Sequence, residues 1–352
     1  MMMTVARNIF ALCFICLFSL NVFAADFDYD HMPPPAPEKW RPYYGEYILG
    51  DQKLLFRENN GRLEVLYNPS ADGKDLDKIK IRPLSELGDG KFTYSFNGEF
   101  SNFLFRLDDQ GKPLGVLVND DFYERNNIEP TNGNTFKVTL DKPIEDYIQE
   151  ALKATPPVQK GNFRKPDLVD VTTVLEKVKL DIRYATTNNF LNAPTYSLAK
   201  SFMQGPALEA LNKANKRFLK MGYGLLIHDS YRPWYVTKVF WDATEGNERD
   251  FVANPERGSK HNMGSAVDLT LYDLKTGMPI KMVGTYDEMS DRSYPEYPGG
   301  TSLERWHRDL LRHVIEAEGF KVVSNEWWHF DHKDWQKYPI LNKTFEELLA
   351  EK

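Results

Sequence analysis

The sequence predicts an α+β protein in two parts, a small all-β barrel or sandwich followed by a domain built from an antiparallel sheet and helices. Short alternating runs of apolar residues, separated by turn residues, fill residues 41–145 and predict the β-domain. From residue 169 to residue 352, helical and strand patterns alternate, which predicts the second domain. A charged helix and a linker that contains Pro, Lys and Gly, residues 146–168, separate the two parts.

The composition is that of a globular protein, and its charge argues against a nucleic-acid partner. The chain has 352 residues, of which 41% are hydrophobic and 27% are charged. Its formal net charge is -7 at pH 7, and no run of Lys or Arg stands out. Proteins that bind nucleic acid present a basic face, so no such partner is predicted. The sequence predicts no particular oligomeric state.

Residues 1–24 are predicted to be a secretory signal peptide. Arg7 precedes an apolar run, residues 9–20, that is too short to span a bilayer comfortably, and small residues precede a cut after Ala24. An uncleaved membrane anchor is the alternative. Cleavage would export the protein to the periplasm or the medium and leave it without stable membrane insertion.

Both cysteines of the chain, Cys13 and Cys16, lie inside this leader segment. The mature protein therefore contains no cysteine and can form no disulfide. Any metal ion must then be held by histidine and carboxylate side chains.

The first elements after the leader are predicted to be a linker and a series of strands. Residues 25–40 are rich in proline and predict an extended linker. Strand and turn patterns then alternate, with strands at 53–57, 62–67 and 92–96 and turns at 59–61, 71–73 and 109–111. This spacing predicts an antiparallel barrel or sandwich and indicates no ligand for it.

The second domain carries the clearer helical patterns. Residues 205–221 form an amphipathic helical pattern, and residues 303–318 form another that ends before Gly319. Residues 223–228 and 320–323 follow the two predicted helices as short apolar strands. This alternation predicts helices packed on a sheet.

A histidine and an aspartate lie seven residues apart in the stretch from Ser259 to Leu271. Between His261 and Asp268, Gly264 permits a tight turn, and an apolar strand then carries the aspartate. A carboxylate inside such a strand is costly unless it is paired or binds a cation. The alternative is a structural aspartate that caps a turn.

A second stretch places Glu326 three residues before His329, with two tryptophans between them. In an ideal strand, positions three apart face opposite sides, so this segment must bend or be helical if both side chains share a site. The alternative is an aromatic core strand with an incidental glutamate.

Together, the two stretches are predicted to form a hydrolytic metal site. Such a site needs three protein ligands and one open position for water. His261, Asp268 and His329 would provide two imidazoles and one carboxylate. Glu326 is then left beside the metal, where a general base can act on the attacking water.

Arg232 lies just before Pro233 and follows a short predicted strand. Its guanidinium is always charged, and we expect it to project into a cleft and stabilise the oxyanion of a tetrahedral intermediate. The alternative is a surface salt bridge, which is the commoner environment of a single arginine.

The chain resembles the VanX-type D-alanyl-D-alanine dipeptidases, a branch of the zinc D-alanyl peptidases. The wider group shares Ser-x-His, a Gly, an Asp seven residues after the His and a later Glu-x-x-His, which are here Ser259, His261, Gly264, Asp268, Glu326 and His329. The dipeptidase branch adds an N-terminal signature, here residues 181–190, and a Tyr-Arg-Pro motif, here residues 231–233. The resemblance covers residues 171–338, about half of the chain.

The resemblance implies one zinc ion per chain, bound by His261, Asp268 and His329. It implies that Glu326 acts as a base toward water and then as an acid toward the leaving amine. Arg232 would polarise the scissile carbonyl and hold the oxyanion. The ligand set could also accept other first-row divalent metals.

The resemblance also implies residues that bind the substrate. Family members hold the free ammonium of the dipeptide with a tyrosine and acids, and Tyr184 and Asp287 occupy the matching places. Ser259 would contact the substrate or orient the site. His228 stands where the family often has tryptophan, and it is predicted to be a hydrogen-bonded strand histidine.

The remaining histidines of the second domain have simpler interpretations. His307 and His313 are six residues apart on a helical pattern, so they do not share a face and are predicted to be surface residues. His332 could lie behind the metal ligands.

The predicted function is zinc-dependent hydrolysis of D-alanyl-D-alanine-type dipeptides, with a small peptide that contains D-amino acids as the substrate. One alternative is an exported D,D- or L,D-carboxypeptidase that trims peptidoglycan stem peptides, which export favours. The other is a non-catalytic cell-wall-binding protein whose β-domain carries the function. The best-known family members are cytoplasmic and have a single domain, so the signal peptide and the β-domain leave the physiological substrate open.

Overall fold

The computed structural model describes residues 27–127 and 136–351. The predicted signal peptide, residues 1–24, lies outside the described residues. Within the described ranges, no helix has the length and apolar character needed to cross a membrane.

Eight antiparallel strands form a closed barrel. They are β1 (Gly45–Leu49), β2 (Gln52–Asn59), β3 (Arg62–Tyr67), β4 (Ile81–Gly88), β5 (Lys91–Phe96), β6 (Glu99–Leu107), β7 (Pro113–Val118) and β8 (Asp121–Asn126). Each strand pairs with the next, and β1 also pairs with β8, which closes the sheet on itself. The predicted β-domain is therefore confirmed as a barrel.

Aromatic side chains fill the interior of the barrel. Alternate residues of each strand point inward, and the inward rings of Tyr47 and Phe56 are fully buried. The rings of Phe56 and Phe105 meet edge to face, with centroids 5.0 Å apart. An eight-stranded barrel is just wide enough for side chains to fill, so the interior is a packed core.

The second domain is built on one five-stranded sheet and a separate pair of strands. The five strands are β10 (Lys179–Leu180), β12 (Tyr223–Asp229), β13 (Ala266–Asp273), β14 (Phe320–Val323) and β15 (Glu326–His332). The pair consists of β9 (Leu168–Asp170) and β11 (Phe202–Gln204). The order in the large sheet is β10-β12-β13-β15-β14, and all neighbours are antiparallel except β10, which runs parallel to β12. The expected antiparallel sheet therefore has one parallel edge.

Five α-helices complete the described part of the chain. They are α1 (Ile144–Lys153), α2 (Gly205–Lys220), α3 (Trp234–Asp242), α4 (Ser302–Ala317) and α5 (Phe345–Ala350). A capping box of Thr301 and Glu304 begins α4, and Pro206 lies in the first turn of α2. Helix α2 packs on β12 and α4 packs on β14, which confirms both predicted helices and the α+β class.

The barrel is packed against the second domain. Leu55 and Leu66 of the barrel are 1% and 0% exposed and belong to the apolar cluster of that domain. The predicted extended linker also contacts it, because the Phe27 ring centroid lies 5.5 Å from that of Trp306. The Trp306 indole donates to the Asp28 carbonyl oxygen at 3.1 Å. The two parts therefore share buried surface.

Candidate active site

Two paired strands bring together the aspartate and one histidine of the predicted metal set. Asp268 of β13 lies directly opposite His329 of β15 in the antiparallel ladder. Side chains directly opposite each other share one face of a sheet. His261 belongs to the turn before β13, and its ring reaches the same point. The register of two strands thus explains why residues far apart in sequence meet.

The ligand atoms of the three side chains converge. His261 Nε2 lies 3.2 Å from Asp268 Oδ1, and His329 Nδ1 lies 3.0 Å from the same oxygen. The two imidazole nitrogens lie 3.1 Å apart. All three side chains are buried, with exposed fractions of 1%, 2% and 8% for His261, Asp268 and His329.

The opposite nitrogen of each imidazole already has an acceptor. His261 Nδ1 lies 2.6 Å from the Ser230 carbonyl oxygen. His329 Nε2 lies 2.9 Å from Asp331 Oδ1. Protons on these two nitrogens would leave lone pairs on the nitrogens that face Asp268. Asp268 Oδ1 is buried without a hydrogen bond. A proton or a cation shared by this oxygen, His261 Nε2 and His329 Nδ1 would satisfy all three atoms.

This set of donors fits a divalent metal ion. Two ligands about 2.0–2.1 Å from a tetrahedral zinc ion lie ~3.3 Å from each other. The three separations found here, 3.0 Å, 3.1 Å and 3.2 Å, are close to that value. Hydrolytic zinc sites use such ligands and leave the fourth position open. Other first-row divalent ions accept the same ligands.

Glu326 lies beside this cluster because β15 is irregular at its start. Phe330 pairs with Val322 of β14, and the register then shifts so that Glu326 pairs with Val323. The shift lets positions three apart share one side, and Glu326 Oε2 lies 3.6 Å from His329 Nδ1. Burial raises the pKa of Glu326 to about 7. The segment thus bends as the sequence requires.

Arg232 is buried, so the alternative of a surface salt bridge is wrong. Its Nε donates to Asp229 Oδ2 at 2.8 Å, and its Nη2 lies 3.7 Å from Asp268 Oδ2. The ring centroids of Tyr184 and Phe240 lie 5.2 Å and 4.7 Å from its Cζ. These contacts fix the guanidinium beside the Asp268 carboxylate.

Tyr184 and Asp287 form a polar pair next to the cluster. The Tyr184 hydroxyl donates to Asp287 Oδ1 at 3.0 Å. Asp287 Oδ2 is buried and accepts no hydrogen bond from the described residues. Burial raises the pKa of Asp287 well above its usual range, and the Asp268 carboxylate raises it further. A cationic group bound here would satisfy the carboxylate.

Ser259 supports the turn that carries His261. Its hydroxyl accepts the His261 backbone N–H at 3.2 Å. Its own N–H donates to Asn262 Oδ1 at 2.7 Å. The serine therefore holds the turn in place while its side chain still borders the site.

All eight predicted site residues line one cavity of about 210 Å³. Its walls also include apolar side chains, among them Phe190, Phe251, Met289 and Trp328. Pockets for drug-sized ligands occupy about 300–1,000 Å³, so this cavity suits a smaller molecule.

Residues 164–350 match the M15 peptidase family, whose description is D-ala-D-ala dipeptidase. The match covers more than half of the chain and includes every one of the eight site residues. This chain belongs to the M15 peptidase family. It is therefore a peptidase, as the resemblance implied, and the alternative of a non-catalytic wall-binding protein loses its support.

Relatives of this M15 peptidase carry the same description. The D-alanyl-D-alanine dipeptidase of Escherichia coli (strain K12) is 31% identical over 184 residues, which are 52% of this chain and 94% of that protein. That of Enterococcus faecium is 34% identical over 187 residues, 47% of this chain and 91% of the relative. A solved LD-carboxypeptidase aligns with 57% of this chain and 90% of its own at 17% identity, with a TM-score of 0.29 that is too low to show a shared fold. The family match begins after the barrel.

Three further side chains orient the site of this M15 peptidase, and the sequence reasoning missed them. They are Asp229, Tyr286 and Asp331. Asp331 lies two residues after His329, and the period of a strand places both on one face, so this signal was available. The Tyr286 hydroxyl donates to Asp268 Oδ2 at 3.0 Å from a loop, and no local pattern predicts that contact.

The other histidines of the M15 peptidase domain lie outside the group formed by His261, Asp268 and His329. The prediction that His307 is a surface residue is wrong, because it is 7% exposed and its Nε2 lies 3.1 Å from the Tyr223 hydroxyl. His228 is a buried strand histidine, as predicted, and stacks on Tyr286 with ring centroids 4.4 Å apart. His332 does not lie behind the ligands but packs on a phenylalanine of β14, 5.1 Å away.

Proposed function

We propose that this M15 peptidase hydrolyses D-alanyl-D-alanine-type dipeptides with one bound zinc ion. The observation that carries the proposal is the convergence of two imidazole nitrogens and one carboxylate oxygen, from His261, His329 and Asp268. The relatives that align over most of their length bear the name D-alanyl-D-alanine dipeptidase, which supports the substrate class.

Residues of the chain would carry the proton transfers and hold the developing charge. When bound, zinc supplies Lewis acidity that polarises a carbonyl oxygen and lowers the pKa of water. Glu326 is placed to take a proton from the attacking water and to deliver it to the leaving amine. Arg232, oriented by Asp229, would stabilise the oxyanion, because its charge is never lost.

The cavity supports a short substrate with a free amino terminus. The Tyr184 hydroxyl and the unpartnered oxygen of Asp287 would bind the substrate ammonium. Ser259 would contact the rest of the substrate from the cavity wall. A cavity of about 210 Å³ favours a dipeptide over a stem peptide of four or five residues. We therefore rank dipeptidase activity above carboxypeptidase activity.

We also propose that the enzyme acts outside the cytoplasm. The signal-peptide pattern of residues 1–24 supports this location. Immunodetection in cell fractions is the direct measurement, and retention of the protein in the cytoplasmic fraction would contradict the proposal.

The experiment that tests the function is alanine release from D-alanyl-D-alanine by the purified protein, with added zinc or with a chelator. Zinc-dependent release is expected, and L-alanyl-L-alanine is the matched control substrate. If only tetrapeptide or pentapeptide stems are trimmed, carboxypeptidase activity replaces the proposal. No hydrolysis of any of these peptides would overturn it.

A further inference from the structure

The loop between β13 and α4 touches the cavity on one side and the barrel on the other. It spans residues 274–301 and carries Asp287 at the cavity. The Tyr286 hydroxyl donates to Asp268 Oδ2, and Asp287 Oδ1 accepts from the Tyr184 hydroxyl. The position of this loop therefore determines the position of Asp287, which with Tyr184 would bind the substrate ammonium.

Hydrogen bonds inside the loop connect the cavity side to the barrel side. Glu288 is 1% exposed and accepts the Thr285 N–H at 2.8 Å and the Ser290 hydroxyl at 2.7 Å. Asp291, which faces the barrel, comes four residues after Asp287. Because the residues between them are tied together, a displacement at Asp291 would also move Asp287.

Strand β2 of the barrel holds the loop at Asp291. Lys53 Nζ lies 2.8 Å from Asp291 Oδ2 and 3.7 Å from Glu46 Oε1. Glu46 of β1 is 2% exposed and also accepts the Tyr297 hydroxyl at 3.4 Å. Two barrel strands and two points of the loop thus meet in one cluster of charges, in which Glu46 is buried and Lys53 and Asp291 are partly exposed.

The end of β2 holds the end of the loop and the start of α4. The Glu58 N–H donates to the Gly300 carbonyl oxygen at 3.1 Å, and Glu58 Oε2 accepts the Ser302 N–H at 2.7 Å. Arg57 Nη1 donates to the Pro298 carbonyl oxygen at 3.2 Å. Glu58 is 1% exposed, and its carboxylate satisfies a free N–H at the helix N-terminus.

The burial of Glu46, Arg57 and Glu58 makes the contact between barrel and loop specific. Exposed ion pairs contribute little to stability, whereas a buried charge that loses its partner is left without compensation. Backbone carbonyl groups of the loop are also partners here, so the loop itself is held and not only its side chains. The barrel therefore constrains the path of the loop.

We propose that the barrel is a positioning element of the catalytic site, in which Lys53 and Glu58 of β2 hold the loop so that Asp287 meets the substrate ammonium. The proposal rests on the proposed function for its substrate. Lys53 is a positioning residue, because it touches Asp291 and Glu46 and not the cavity. The barrel would then set the KM for a dipeptide rather than the rate of the chemical step.

The test compares full-length wild-type protein with Lys53→Met, Asp291→Asn and the double variant. Each single variant is expected to raise the KM for D-alanyl-D-alanine about fivefold with little change in kcat, because a displaced loop weakens ammonium binding. The double variant should raise the KM no further than Lys53→Met alone, because Lys53→Met already removes the contact with Asp291 and also the longer one with Glu46. Lys53→Arg should restore most of the lost affinity, because it keeps the charge.

Lys39→Met is the matched control. Lys39 Nζ lies 2.5 Å from Glu86 Oε2, and Glu86 lies on β4, so this pair does not reach the loop. Its KM is expected to equal that of the wild type. An unchanged KM in Lys53→Met and Asp291→Asn, or an equal rise in Lys39→Met, would overturn the proposal.

Hydrogen exchange gives a second measurement that needs no activity. Amides of residues 284–300 are expected to exchange faster in Lys53→Met and Asp291→Asn than in the wild type and in Lys39→Met. Equal exchange in all four proteins would contradict the positioning role. If the wild-type protein hydrolyses no D,D-dipeptide, the proposed function fails, while the exchange rates still decide whether the barrel holds the loop.

Discussion

At the scale of single residues, His261 and His329 each bond one ring nitrogen to an oxygen, and this bond decides which nitrogen faces Asp268. The Ser230 carbonyl oxygen accepts from His261, and the Asp331 carboxylate accepts from His329. Such outer partners fix the tautomer and the orientation of metal-binding imidazoles. The metal affinity of the site should therefore depend on residues that do not touch the metal.

Asp331→Asn tests that dependence. Loss of the carboxylate is expected to weaken zinc binding about 10- to 100-fold, because His329 loses the acceptor that orients it. Competition with a chromophoric zinc chelator measures the affinity without an activity assay. Asp334→Asn is the control, since Asp334 contacts Lys337 and Arg164 and no metal ligand. Equal affinity in both variants would contradict the role of Asp331.

Glu326→Ala tests the proposed base. The variant is expected to bind one zinc ion per chain but to lose about 10²- to 10⁴-fold in kcat, the usual contribution of a general base. Zinc content by atomic emission and dipeptide turnover are the two measurements. Glu209→Ala, on the exposed side of α2, is the control and should keep wild-type turnover. Full activity of Glu326→Ala would show that another group accepts the proton.

At the scale of elements, the turn between His261 and β13 needs glycine at position 264. Gly264 has a φ of +65°, and a Cβ there would lie 2.5 Å from Leu168 Cδ2. The left-handed conformation alone costs an L-residue about 1–2 kcal/mol. Leu168 of β9 also leaves no room for a Cβ at this position. Both the backbone conformation and the packing therefore require glycine here.

Gly264→Ala should therefore destabilise the protein more than an alanine at another left-handed glycine. Gly222 is the matched control, with a φ of +88° and open space around its Cβ position. We expect Gly222→Ala to lower the free energy of unfolding by about 1 kcal/mol and Gly264→Ala by about 2–4 kcal/mol. Urea denaturation measures both, and equal losses would mean that Leu168 moves aside freely.

The contact between α4 and β12 should make stability depend on pH. Burial lowers the pKa of His307 on α4 to about 4, below the value near 6.5 of an unfolded histidine. Between those values the unfolded chain binds the proton more readily than the folded chain does. The contribution of His307 to the free energy of unfolding is therefore present above pH 6.5 and is lost as the pH falls toward 4.

His307→Gln should reduce the difference in the free energy of unfolding between pH 7 and pH 4.5 by up to about 3 kcal/mol. The free energy of unfolding at pH 4.5 and at pH 7 is the measurement. Tyr223→Phe is the control, because it removes the hydrogen bond to His307 but leaves the imidazole able to titrate. A pH dependence that is unchanged in His307→Gln would contradict the assignment.

At the scale of the whole molecule, the barrel and the peptidase domain share a polar interface as well as an apolar one. Arg305 of α4 donates to the carbonyl oxygens of Gly299 and of Glu58, both at 3.0 Å. Burial lowers the pKa of Arg305 to about 10. The Arg305 guanidinium therefore links α4, the loop between β13 and α4, and strand β2. We expect the two domains to unfold together for this reason.

Arg305→Met should lower the stability of both domains at once. The loss of hydrogen bonds from a charged, partly buried donor is expected to cost about 2–4 kcal/mol. Calorimetry should show one transition that moves to lower temperature as a whole. Arg312→Met on the same helix breaks half-exposed ion pairs with Glu296 and Glu316 and should cost less than about 1 kcal/mol. Two separate transitions in the wild type would contradict a shared unfolding unit.

Local patterns in the sequence were sufficient for the elements that depend on local physics. The alternation of apolar residues predicted the barrel strands, and the helical periods predicted α2 and α4, because side-chain spacing follows directly from backbone geometry. Helix α3 was not predicted, since it is buried around most of its circumference and shows no clear polar face. The closure of the barrel by β1 and β8 depends on a contact between strands far apart in the chain.

The sequence by itself determined the family, the α+β class and the candidate residues of the site, because a hydrolytic metal site requires particular donor atoms and the motif spacing is specific. Only the tertiary structure decided which imidazole nitrogens face Asp268 and that Arg232 is buried. It also revealed that the barrel holds the loop of Asp287. These features arise from hydrogen bonds and packing between distant segments, and such contacts form only when the whole chain is folded.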